Sequence, residues 1–324
     1  ITTIHTYAAK IWQYNEDISI YKNFEKEEKL PLRVTVCIDE LFEPEILTEE
    51  KLNNPYRKVQ LGAYKIFSDG SMGSRSAALK KPYSDDPQNS GFMLFTQEEL
   101  NNKILTGYEH GLQPAIHAIG DRALDMTLAA IEYTLKTTKE KGMTDEEQKN
   151  RLPFRIIHVQ MIDDDLLERM KKLPLVLDIQ PIFLCTDLHW IEDRIGKERL
   201  KGSFALKTME KAGLIQTGGS DCPVETYEPL KGIYAAVTRQ DMEGYPIEGF
   251  LPEERLSVYE ALCMYTKNVP YATGQESVLG TLEIGKFADL TVLEKNLFKI
   301  DKKEIKDVKV EQTYVAGNCV FMIK

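Results

Sequence analysis

Paired cysteines are missing from this sequence: Cys37, Cys185, Cys222, Cys263 and Cys319 stand singly, with no CxxC and no spacing that would build a disulfide framework or a zinc knuckle. A reducing compartment is the expectation. Long apolar runs are missing too. No stretch approaches the roughly 18 consecutive apolar residues of a membrane span, and no basic segment followed by an apolar run opens the chain. A cytoplasmic protein without a membrane partner is therefore expected. Cations are in deficit, with Lys and Arg numbering 41 against 51 Asp and Glu, for a formal net charge of −10. A nucleic-acid surface needs clustered cations to displace counterions, which argues against that partner and favours a small-molecule substrate. Internal repeats and low-complexity linkers do not occur.

What the sequence does have is an ordinary hydrophobic fraction of 42%, enough over 324 residues for one large core and an appendage. Seven short apolar or β-branched runs, at 1–5, 32–38, 62–67, 114–117, 154–158, 175–179 and 214–217, alternate with stretches of helical periodicity. That alternation favours parallel strands joined by helical crossovers, an α/β, TIM-like (β/α) barrel. Seven runs is one short of a closed barrel, and Ile1 already sits inside an apolar run, so the chain is expected to start mid-fold. Helices are expected at 8–28, 96–110, 121–140, 163–172, 197–212, 229–240 and 256–269. Thr96 and Asp121 are placed to cap two of them. The charged stretch 136–151 reads as a solvated helix end and loop. From 279 the pattern changes to short antiparallel strands with glycine turns.

Catalytic groups of a parallel barrel stand at the C-terminal ends of its strands. His117 and His158 close consecutive runs, Asp221 follows the Gly218-Gly219-Ser220 turn after the last, and Lys65 lies inside the third. A metal able to activate water takes imidazole and carboxylate ligands while keeping one position open, so these four are the candidate metal ligands. Neutral lysine is an odd ligand, but one carboxylated by carbon dioxide presents two oxygens. Plainer readings stand beside this one. A single strand-end histidine is more often hydrogen-bonded structure, Asp221 could cap the segment after it, and Lys65 could pair with an acid. Two histidines on adjacent strands with a late aspartate bring the balance near even. His5 is expected to line or pack, His110 to end a helix before Gly111, and His189 to take no catalytic role. Asp69, Gly70 and Arg75 belong to a segment that is not a phosphate loop, since no Gly-Lys-Ser/Thr follows; they read as substrate contacts or as a tight turn. Arg122, with Asp121, is either a substrate-side group near His117 or part of a helix start.

The segments KIFSDGSMGSRSAAL over 65–79 with Pro82-Tyr83, HAIGDRA over 117–123, IHVQ over 157–160, GGSDCPV over 218–224 and LGTLEIGKFADL over 279–290 together resemble the amidohydrolase superfamily. The branch they resemble includes N-substituted formamide deformylases, and the resemblance runs over nearly the whole chain. It implies that Lys65 is the carboxylated lysine of the fourth barrel strand, His117 and His158 the ligands of the fifth and sixth, and Asp221 the aspartate of the eighth. Residues 1–278 would then be barrel strands two to eight, and 279–324 the C-terminal part of a small β-sandwich. One departure matters: the family's first strand carries His-x-His, and this sequence contains none. A binuclear centre cannot be completed from this chain, while Lys65, His117 and His158 could still hold one metal. The implied activity is hydrolysis of an amide or related C–N bond, of N-formyl or N-acyl type, by metal-activated water. The metal is a divalent cation, zinc in the first instance, and Asp221 moves the proton. Cyclic ureides, deaminated rings and esters are neighbouring substrate readings. A barrel that binds a ligand or regulates a partner is the competing one, and self-association as a homodimer is left open.

Overall fold

Runs of β-branched and apolar residues too short to fill a helix become seven strands: β1 (Thr3–Thr6), β2 (Arg33–Asp39), β3 (Val59–Phe67), β4 (Pro114–Ala118), β5 (Phe154–His158), β6 (Leu175–Ile179) and β7 (Ile215–Gly218). The computed structural model describes residues 1–7, 11–39 and 57–323. All seven strands are parallel and pair in chain order. Every residue of β4, β5 and β6 is buried, as a parallel sheet covered on both faces requires.

The sheet is curled. Tyr7, just past β1, donates its hydroxyl to Asp178 Oδ2 of β6 at 2.6 Å, and Arg155 Nη2 of β5 donates to His5 Nδ1 of β1 at 3.2 Å. In a flat sheet β1 and β6 would lie about 24 Å apart, five strand spacings, so these bonds exist only because the sheet bends into most of a barrel. Strand alternation then sends Ala63, Lys65, Ala115, His117, Arg155, Ile157, Asp178 and Thr217 to the concave side. Cys37, Ala63, Ala115 and Ile157 pack together there with Tyr7.

The helices among the described residues are α1 (Ile11–Lys26), α2 (Gln97–Glu109), α3 (Asp121–Glu140), α4 (Asp145–Lys149), α5 (Asp164–Met170), α6 (Phe183–Asp187), α7 (Ile191–Ile195), α8 (Leu206–Lys211), α9 (Pro229–Thr238), α10 (Val258–Tyr265) and α11 (Asn268–Tyr271), of which α1 packs on β2 and β3, α2 and α3 on β4, and α10 and α11 on β7. In α3 the buried Leu124, Leu128 and Ile131 recur at helical spacing and join the main core with Ile116 and Ile156. Burying each such side chain stabilises the fold by about 1.5–3 kcal/mol. Thr96 caps α2 in a full capping box with Glu99.

Several sequence expectations are corrected. The start of the helix expected over 8–28 falls partly outside the described residues, and α1 is described from Ile11. The helix expected over 197–212 is a 3-10 turn, Lys197–Gly202, followed by α8, broken where Phe204 takes a φ of 47°. That over 256–269 divides into α10 and α11 at Thr266. Asp121 does not cap α3: Gly120 holds the cap position, and Asp121 Oδ1 accepts from the amides of Lys80 and Arg122 instead. Within the charged 136–151 stretch α4 forms a turn with its own capping box.

Three antiparallel strands, β8 (Leu290–Leu293), β9 (Val310–Val315) and β10 (Asn318–Met322), make a separate small sheet in the order β10–β9–β8. Buried Asp289, just before β8, pairs with Arg33 Nε at 3.1 Å, and Arg33 lies 4.2 Å over the Phe287 ring. Arg33 opens β2, so this attachment is at the N-terminal ends of the strands and leaves the opposite rim free.

Candidate metal centre

His117 closes on the concave face because strand alternation from Ala115 puts it there. His158 should not. It follows inward-facing Ile157, so regular alternation would aim it outward. The chain corrects this by leaving the strand in the left-handed region, with φ of 79° at His158 and 47° at Val159. For non-glycine residues, one of them β-branched, that conformation costs on the order of 1–3 kcal/mol each, and such strain collects at functional sites. Its result is that the two rings meet edge to face with centroids 4.5 Å apart.

Each ring is fixed from one side. His158 Nδ1 donates to Gln180 Oε1 at 2.7 Å, and the amide is oriented by its own Nε2 donating to the carbonyl of Asp178. His117 Nε2 faces two acceptors, the Gly70 carbonyl at 3.1 Å and Asp69 Oδ1 at 3.2 Å. The tautomers follow: His158 keeps its lone pair on Nε2, His117 on Nδ1, and neither nitrogen has another hydrogen-bond partner among the described residues. Burial pushes the His158 imidazole well below its usual pKa, and the neighbouring His117 and Lys65 push the same way. It is a neutral imidazole at physiological pH.

Lys65 is 4% exposed, its ammonium 4.6 Å from the ring centres of both Tyr7 and Phe67. On the same concave face lies a pair that sequence reading missed. Arg155 Nε donates to Asp178 Oδ2 at 2.8 Å, while Thr217 donates to Oδ1 and Tyr7 to Oδ2 at 2.6 Å each. With Arg155 and its other donors beside it, Asp178 sits below the usual carboxylate range despite burial. Asp178 is the last but one residue of β6 and Gln180 the first past it, so attention to polar groups around strand ends could have found both.

A metal fits this donor set in part. Two imidazoles, each braced by an oxygen acceptor on one nitrogen and open on the other, are what a divalent cation takes. Lys65 fits only once neutral or carboxylated. Asp221 lies at the same rim, in the turn after β7, exposed and with a φ of 52°. Among the described residues no three His, Cys, Asp or Glu side chains gather closely enough to hold a metal by themselves.

The four residues expected to contact substrate are placed differently. The Asp69 carboxylate accepts the amides of Ala78, Ile119 and Gly120 at 2.9–3.1 Å and is 2% exposed, so it ties its own loop to the end of β4. Gly70 turns its carbonyl to His117, and a Cβ there would stand 2.1 Å from Ser76 Oγ. Arg75 makes a two-pronged pair with Asp85 at 2.7 and 3.0 Å. Arg122 is exposed in the first turn of α3.

A curled parallel sheet with an imidazole pair at its C-terminal rim is most of a (β/α) barrel with its functional groups where that fold carries them. The amidohydrolase family profile matches residues 1–321, and the chain belongs to that family. It is 36% identical to the amidohydrolase YtcJ of Bacillus subtilis (strain 168) over 318 residues, covering 95% of this chain and 58% of that protein. It is 29% identical to the N-substituted formamide deformylase of Arthrobacter pascens, covering 79% of this chain and 45% of the relative. A crystal structure of an uncharacterized metal-dependent hydrolase from Pyrococcus horikoshii OT3 superposes with a TM-score of 0.78 at 29% identity, covering 93% of this chain and 58% of that one. The chain thus spans about half the length of the relatives it matches. Among the described residues no helix is long and apolar enough to cross a membrane.

Proposed function

We propose that this chain is the greater part of the catalytic barrel of a metal-dependent hydrolase that cleaves an amide or other C–N bond in N-formyl or N-acyl compounds. The observation that carries the reading is the imidazole pair, 4.5 Å apart, with complementary tautomers that leave two lone pairs free. Lys65, carboxylated, His117 and His158 would hold the cation. When bound, a divalent metal, zinc in the first instance, supplies Lewis acidity toward a substrate carbonyl and makes a water acidic enough to attack near neutral pH. Gln180 and the Gly70 carbonyl hold the two rings in their ligating tautomers. Asp221 takes the proton from the attacking water and returns it to the leaving nitrogen, first as base and then as acid. We place the protein in the cytoplasm, in keeping with five unpaired cysteines, acting on a small molecule as a homodimer or alone.

The reading is tested on the whole protein by metal analysis and a panel of N-formyl and N-acyl amines. Asp221→Asn is expected to lower turnover by about 10²–10⁴-fold with metal content retained; undiminished turnover removes Asp221 from its role. One observation favours a second reading, a barrel that binds a ligand without turning it over: the lack, among the described residues, of three clustered His, Cys, Asp or Glu side chains. A protein that retains no divalent metal and hydrolyses none of the panel would decide for it.

A further inference from the structure

A cavity of about 310 Å³ opens at the C-terminal rim between α6, the turn after β7 and the loop after α9. Its lining residue Ile182 directly precedes Phe183 of α6, whose ring stacks on His158 at 5.9 Å, and Cys185 and Thr186 of the same helix line it. Ile182 and Met242 give it an apolar wall. The His189 ring also lines it, anchored by Asp241 at 3.0 Å and backed by Tyr245, whose ring lies parallel at 5.8 Å.

Two lining carboxylates have spare capacity, and Glu225 is the one held in place: the Glu243 side chain is exposed and has no hydrogen-bond partner among the described residues. Asp241 is satisfied by His189 and by the amides of Glu243 and Tyr245, and Lys231 is taken by Glu228. Glu225 accepts from the Thr186 hydroxyl through Oε1 at 2.6 Å, and its other oxygen has no hydrogen-bond partner among the described residues. Its charge reaches the cavity wall: the Cys185 thiol is pushed up to about 12, by burial first and by Glu225 next.

We propose that this chamber binds the amine-side substituent of the substrate, an apolar or aromatic group that carries an ammonium. The apolar group lies between Ile182, Met242 and the His189 ring, and the ammonium meets Glu225. This rests on the hydrolase reading only for the word substrate; the site is defined by the cavity and its lining. Shape alone would admit any apolar group, and the unshared carboxylate oxygen is what selects the cationic one.

The test is calorimetric titration of the metal-loaded protein at pH 7 with benzylamine, benzyl alcohol and benzoate. Benzylamine is expected to bind about tenfold more tightly than the alcohol, and benzoate more weakly than either. Glu225→Gln, with an unchanged melting curve, should erase the preference for the amine, whereas Met242→Ala should weaken both benzyl compounds alike. Equal affinity for amine and alcohol, or a preference that survives Glu225→Gln, overturns the proposal. Hydrolysis is not read in this titration. Amine selectivity without turnover of any N-acyl amine would uphold the chamber and sink the catalytic reading; turnover of neutral formamides without amine selectivity would do the reverse.

Discussion

At the scale of single residues, the imidazole pair works because each ring is bonded on one nitrogen and open on the other. Gln180 is the group that decides this for His158. Gln180→Ala frees the ring to rotate and change tautomer, and metal affinity is expected to fall about 10–100-fold, measured by competition with a chelator. Unchanged affinity would mean that the ring is held by packing against Phe183 alone. Asp69 behaves differently from the substrate contact its residue type suggests. Asp69→Ala strands three amides that have no other acceptor among the described residues, and since each unmet buried donor costs about 1–3 kcal/mol, a loss of at least about 3 kcal/mol in urea unfolding is expected. A loss under about 1 kcal/mol would return Asp69 to the substrate side. The two cases show what sequence could say about the site. Strand-end position singled out His117 and His158, and the third run held Lys65, because such placement is a local property. The partners of Asp69 lie 9, 50 and 51 residues away, and the backbone turn that swings His158 inward follows from no residue type, so neither could be read in advance.

Elements were legible wherever one local pattern ran long enough. All seven barrel strands appear where β-branched runs predict them, and α3 spans the range its periodicity predicts, because apolar stripes at helical spacing persist over its whole length. Helices α6 and α7, five residues each, are too short to show a period. The break at Phe204 is set from outside its own segment: the Phe204 amide bonds the Gln160 carbonyl and its carbonyl accepts from Arg239, so tertiary contacts overrule helical propensity there. Attachment of the small sheet likewise depends on a contact 256 residues apart in sequence, Arg33 with Asp289. Asp289→Ala leaves a buried guanidinium unpaired and also strips the acceptor of the Ala316 amide. A loss of about 3–5 kcal/mol is expected, with limited proteolysis cutting the chain after about residue 279 well before the barrel. If barrel and small sheet were cleaved together at the native rate, the ion pair would not be the joint.

On the scale of the whole molecule, the curl of the sheet is held across its opening by bonds from β1 to β5 and β6, and one of these involves a titratable ring. Burial first, and then Arg155, lower the His5 pKa to about 3, with Asp178 opposing in part. Protonation would place an imidazolium against the Arg155 guanidinium and break the bond in which His5 Nδ1 is the acceptor. An unfolded histidine titrates near 6.5. The folded value lies below it, so between those limits the unfolded chain binds the extra proton, and stability rises with pH. The contribution is complete above about pH 6.5 and is lost as pH falls toward 3, with a slope of about 1.4 kcal/mol per pH unit for one such group. His158 shifts in the same direction and steepens the fall. Urea unfolding of the metal-free protein should therefore weaken from near pH 6.5 downward, before the carboxylates titrate. His5→Gln keeps an acceptor for Arg155 without a titrating ring and should flatten the slope by about one proton. A stability profile level between pH 6.5 and 4.5, or one that His5→Gln leaves unchanged, would mean that His5 is open to solvent and that the β1 edge does not close over the barrel interior.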